Sequence, residues 1–166
     1  MRLLALSLLL ASLFSCSTDI HNIDEQTVSP FVKSHFPKGI MYANGSNADL
    51  RMLEDRAIAF YFTSINNPQS LEVEELLQET AKKYDYRLSI VVVNAGSNTS
   101  GFQQKMARYG KSFFIVSEEA SKVLTKKYKI NVTPSMLVFG RDKKLVDEKA
   151  VDSLVDNFPA IPGHWE

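Results

Sequence analysis

An α/β fold with a central mixed sheet flanked by helices follows from three features of the sequence. Two apolar runs, one over residues 57–62 and one over "RLSIVVVNA", enclose a segment of helical periodicity. That order makes a strand–helix–strand unit with parallel strands. Later, "SMLVF" and "LVDEKAV" flank the charged turn "GRDKK", which makes an antiparallel hairpin. Parallel and antiparallel pairs in one sheet make it mixed. A chain of 166 residues, 45% hydrophobic and 23% charged, suits a single core.

The elements can be taken in order. Residues 17 to about 38 are polar with scattered apolar positions, and Pro30 and Pro37 stop any long helix. They read as a tether, with a short helix around 28–36. Asn44-Gly45 is a turn signal, giving a short hairpin near 40–48. Leu50 and Leu53 follow as apolar anchors. The aromatic-rich run 57–62 reads as a strand covered on both faces.

After Pro68 the period changes. Val73, Leu76, Leu77, Thr80, Ala81 and Tyr84 fall on one helical face, with Glu72, Glu74, Glu75 and Glu79 on the solvated remainder. The β-branched run up to Ala95 is the second strand. "GSNTSG" is a loop, and "FQQKMARYG" a short helix ended by Gly110. Residues 112–116 form a third strand. Ser117 caps a helix whose Ala120, Val123, Leu124 and Tyr128 point inward. The final hairpin follows Thr133-Pro134. A closing helix carries Val151, Leu154, Val155 and Phe158, and residues 161–166 are a tail.

The start of the chain has its own character. Arg2 precedes 12 uncharged, mostly apolar residues, Leu3 to Phe14. The run falls short of the roughly 20 residues of a membrane-spanning helix and fits the apolar region of a secretory signal. "LFSC" then resembles the lipobox of bacterial lipoproteins, in which the cysteine is lipidated and becomes the mature N-terminus. Phe14 departs from that pattern, while Ser15 and Cys16 fit it. The resemblance implies a signal peptide over 1–15, lipidation of Cys16, and a tether over 16–38. It also implies a lipid-anchored protein of the cell envelope facing the periplasm. In a Gram-negative host, Ser17 permits sorting to the outer membrane. The plainer alternative is an ordinary signal cut near Ser15 or Ser17, with Cys16 incidental.

Removal of 1–15 takes away Arg2 and leaves a net charge of −1. With no basic block and balanced charge, nucleic acid is not an expected partner. His21, His35 and His164 are too widely spaced for a metal site. No metal and no cofactor are expected.

The stretch "KYKINVTPSMLVFGRDKKLV" carries a wider resemblance. Its helix end with Tyr128, its Val132-Thr133-Pro134, its apolar strand with Leu137 and Phe139 and its turn with Lys144 resemble thioredoxin-like proteins. The lead-in "MYANGSNADLRMLEDRAIAFYFTS" is similar to that of the periplasmic, membrane-linked branch. The domain implied is 39–160, with a cis bond before Pro134.

In that family the strand-to-helix junction holds a Cys-x-Pro-Cys motif or a similar one. Here Asn66-Asn67-Pro68-Gln69 stands there, and Cys16 is the only cysteine of the chain. Thiol–disulfide exchange needs an attacking and a resolving thiol. The junction has neither. What the resemblance leaves is a peptide-binding groove, with Thr133 and Pro134 on one side and Asn66, Asn67, Pro68 and Gln69 on the other. A purely structural alternative has Asn66 capping the helix and the cis turn supporting the fold.

The expected function is therefore a redox-inactive envelope lipoprotein that binds or scaffolds other envelope proteins or extended peptide segments, as in a secretion or conjugative transfer system. The alternative is an enzyme related to thiol–disulfide oxidoreductases, or an accessory subunit that positions substrates for a true oxidoreductase.

Overall fold

The computed structural model describes residues 28–147. The signal peptide, Cys16, the first part of the tether, His21, the closing helix at 151–158 and the tail with His164 lie outside the described residues. Within them, seven strands form one sheet. They are β1 (Ile40–Tyr42), β2 (Asn47–Ala48), β3 (Ala57–Thr63), β4 (Leu88–Asn94), β5 (Phe114–Ile115), β6 (Ser135–Phe139) and β7 (Leu145–Asp147). Their spatial order is β2-β1-β5-β4-β3-β6-β7. β3, β4 and β5 run parallel, and β1, β2, β6 and β7 pair antiparallel. The expected mixed sheet is present.

Every residue of β3 and β4 is buried, as expected of central strands covered on both faces. Successive side chains alternate between the faces. Ala57, Ala59 and Tyr61 join Leu77, Ala81, Phe102 and Met106 on one side. Ile58, Phe60 and Phe62 join Val32, Phe36 and Leu124 on the other. Helices α2 (Ser70–Tyr84) and α3 (Thr99–Met106) therefore cover one face, and α1 (Pro30–His35) and α4 (Glu118–Lys127) the other.

Ser29 caps α1 and Pro30 opens it, a position where the missing N–H costs nothing. Val32 and Phe36 are completely buried. Residues 30–36 are thus packed against the sheet, and the folded unit takes them in ahead of the expected boundary at residue 39. His35 is buried too, stacked on Phe31 and Phe60 and close to Phe139 and Tyr128. The β1–β2 hairpin turns through Gly45 at φ +85°, a backbone conformation that glycine adopts without strain.

Two helical faces differ from the periodicity reading. On α2, Ser70, Glu74, Leu77 and Ala81 are the buried positions, while Leu76 is exposed. On α4, Ser121 is buried with Ala120 and Leu124, and Val123 is exposed. Helix α3 begins at Thr99, within the expected loop, because the side chain of Asn98 accepts from the Gly101 N–H and caps it.

Candidate functional site

The site is built at one end of the sheet. Phe62 pairs with Ser135 in antiparallel register. The chain leaving β3 and the chain entering β6 therefore meet at the same edge of the molecule. The bond between Thr133 and Pro134 is cis, a form seen in a small minority of X-Pro bonds. Thr133 and Pro134 are half-buried, and Val132 before them is 71% exposed. The two halves of the sequence-predicted groove, 66–69 and 133–134, are brought to one end of the sheet.

Across the junction, Asn66, Pro68 and Gln69 are exposed and Asn67 is half-buried. The side-chain oxygen of Asn67 accepts from the Gln69 N–H at 3.0 Å, a local turn that asparagine favours. The carbonyl of Asn67 accepts from the Ser70 N–H at 3.2 Å and the Ser70 hydroxyl at 2.8 Å. Asn66 therefore does not take the capping role expected of it: Gln69 stands at the N-cap position without a side-chain capping bond, and Asn67 forms the turn that leads into the helix. Helix α2 starts only at Ser70. Ser70, which the sequence reading did not single out, is 2% exposed and is tied to the residue three positions before it.

Behind Ser70 lies a polar cluster that helical periodicity did not reveal. Glu74 is fully buried. Its Oε1 is 2.6 Å from Lys105 Nζ, and its Oε2 accepts from the Tyr109 hydroxyl at 2.9 Å. Lys105 also donates to the Ser70 hydroxyl at 2.5 Å. Burial, and then the hydrogen bond to the Glu74 carboxylate, push the Tyr109 phenol well above its ordinary range. Every charge is met by a partner, which a buried ion pair requires. The cluster joins the first turn of α2 to the end of α3.

Glycine permits a second close approach. A Cβ on Gly101 would lie 2.7 Å from Ile65 Cδ1 and 2.9 Å from Asn98 Nδ2, so α3 sits close beneath the junction and a side chain there would push those side-chain ends aside. The Ala95 N–H donates to the Thr63 carbonyl at 2.8 Å, fixing the end of β4 beside the junction. Among the described residues there is no cysteine and no group of three or more potential metal ligands. Among them, too, no helix is long and apolar enough to cross a membrane.

What the arrangement offers chemically is hydrogen bonding and shape. Asn66, Asn67 and Gln69 can each donate and accept, and they stand at the sheet end that also carries the cis-proline.

Comparison with known proteins agrees with this architecture. A family model described as thioredoxin-like matches residues 55–145. No curated protein matches the sequence. Among solved structures, native tryparedoxin I from Crithidia fasciculata is similar, with a TM-score of 0.68 and 18% identity over 82% of this chain and 98% of that one. Tryparedoxin I from Leishmania major gives 0.65 and 20% over 78% and 94%. Thioredoxin from Wuchereria bancrofti gives 0.59 and 19% over 69% and 83%. At these identities the likeness is one of fold.

Proposed function

The chain belongs to the thioredoxin-like family, and we propose that within it this protein is a binding component without thiol–disulfide activity, holding extended segments of partner proteins along its cis-proline edge. The observation that carries this reading is the pairing of a cis Thr133–Pro134 bond with a thiol-free junction at the same sheet end. Exchange chemistry needs a thiolate and a resolving thiol. The junction supplies amides and a hydroxyl instead. An extended peptide laid beside a short exposed edge gains backbone hydrogen bonds, and the junction asparagines supply further donors and acceptors.

The proposal includes the anchor. Cys16, the only cysteine, is the lipidation site, so the domain faces the periplasm on a spacer that ends ahead of α1. Its partners are then envelope proteins, and a place in a secretion or conjugative transfer assembly suits a tethered binder. Mass spectrometry of the mature protein tests the anchor: an N-terminal peptide with an acylated Cys16 is expected, and an unacylated one removes the anchor from the account.

An insulin-reduction assay tests the rest. The protein and its Cys16→Ser variant are both expected at background rate. Turnover in the variant would contradict the reading and favour a related enzyme.

A further inference from the structure

The cis-proline loop continues directly into a groove of about 530 Å3 lined by Asn94, Ala95 and Gly96 at the end of β4 and by Lys122, Lys126 and Lys129 from α4 and the turn after it. Ile130 and Asn131, which also line it, lead straight to Val132-Thr133-Pro134. A segment laid along the cis-proline edge would enter this groove at one end.

The charge in the groove is of one sign. Lys122 is paired with Glu118 at 2.6 Å. Among the described residues, no ion pair engages Lys126 or Lys129. The neighbouring Lys127 is turned away, with its ammonium 2.9 Å from His35 Nε2 on the other side of the helix end.

The backbone gives an independent reason to single out Lys129. Helix α4 ends with the Lys129 N–H on the Lys126 carbonyl and the Ile130 N–H on the Thr125 carbonyl. That is the pattern in which the residue after the cap takes the left-handed conformation and is usually glycine. Here it is lysine, at φ +51°. A side chain costs stability at that position, and its charge is placed at the groove.

We infer that this groove receives acidic side chains of the bound segment, so that the partner is an extended peptide rich in Asp or Glu. This rests on the peptide-binding reading above and adds the class of peptide. Positive charge lining a concave wall attracts and orients an anionic ligand in a salt-dependent way.

The test is fluorescence anisotropy of a labelled extended peptide with glutamate at alternate positions, beside the same peptide with glutamine, using the full mature chain. The acidic peptide is expected to bind about tenfold tighter at low salt, the sum of a few exposed ion pairs, and the difference to shrink as salt is raised. Lys126→Glu/Lys129→Glu is expected to abolish the difference. Lys129→Gly is expected to weaken the acidic peptide while its melting temperature stays level or rises, which separates loss of binding from loss of fold. Equal binding of both peptides, or no effect of the lysine changes, would overturn the role of the groove and leave the peptide reading standing. Failure of both peptides to bind would overturn the peptide reading itself. Preference for vesicles of anionic phospholipid over the acidic peptide would overturn the choice of partner.

Discussion

The ammonium of Lys105 lies 2.6 Å from the Glu74 carboxylate, whose side chain is shut off from solvent altogether. This pair joins two helices behind the junction, and removal of one partner leaves a buried charge unmet. Lys105→Met is expected to lower the unfolding free energy by about 3–5 kcal/mol. Glu74→Leu/Lys105→Met should recover most of that loss, since no charge is left behind. Urea unfolding of the single and double variants measures both. A double variant as unstable as the single would show that packing rather than charge holds α2 to α3.

The junction can be asked to regain chemistry. Asn67 and Ser70 are joined by a hydrogen bond across three positions, the spacing of a Cys-x-x-Cys motif. Asn67→Cys/Ser70→Cys is expected to form a reversible disulfide and to reduce insulin above background. Asn66→Cys/Gln69→Cys is expected to do so less well, because both side chains are exposed and Gln69 lies ahead of the helix. Thiol counts before and after mild oxidation decide between them.

Acid should loosen the packing of α1. His35 Nδ1–H donates to the Phe31 carbonyl at 2.7 Å, which leaves Nε2 to accept from the Tyr128 hydroxyl and the Lys127 ammonium. Burial, and to a smaller extent the Lys127 charge, lower the His35 pKa, against the carbonyl bond, which raises it. The unfolded chain therefore takes up this proton at a higher pH than the folded one. The stability from neutral His35 is complete above pH 6.5, the ordinary value, and drains away as pH falls from there to the folded pKa. The melting temperature is expected to fall with pH in that window, and His35→Gln to flatten that part of the curve. An unchanged slope in the variant would assign the fall to other groups. Burial also pushes the Tyr128 phenol up to about 12, so its hydroxyl keeps its proton throughout.

The left-handed Lys129 predicts a gain of stability on substitution. Lys129→Gly relieves the side-chain penalty of that backbone conformation, worth up to about 1 kcal/mol. Differential scanning calorimetry should show an equal or higher melting temperature. A clear fall would mean that the lysine side chain itself supports the end of α4.

The central strands could be read from the sequence because every position of β3 and β4 faces protein, and uninterrupted apolar runs record that directly. The cis bond at Thr133-Pro134 is legible only through the resemblance to thioredoxin-like proteins, since most X-Pro bonds are trans and the residues alone do not mark the exception. The faces of α2 were not legible. Glu74 is buried because its partners come from 31 and 35 residues away, and periodicity within one helix carries no trace of them. Spacing alone puts Val123 and Leu76 inward, yet in each helix a small or paired polar residue takes the inner place. Residues 28–38 read as a spacer because they are polar on average. Val32 and Phe36 are enough to dock them, and His35 joins the core through stacking on Phe60 and hydrogen bonds to Tyr128 and Lys127, partners far away in the sequence. The Lys129 groove could not be seen, because it depends on a backbone angle and on the return of the chain to the end of β4.

The most direct measurement of the central claim is amide chemical-shift mapping of the full mature chain during titration with an extended acidic peptide. The account predicts saturable shifts confined to residues 66–70, 94–96, 122–126 and 129–135, with no change in the thiol state of the protein. Shifts absent from that end of the sheet, or centred on another face while residues 66–70 and 129–135 stay unmoved, would contradict it.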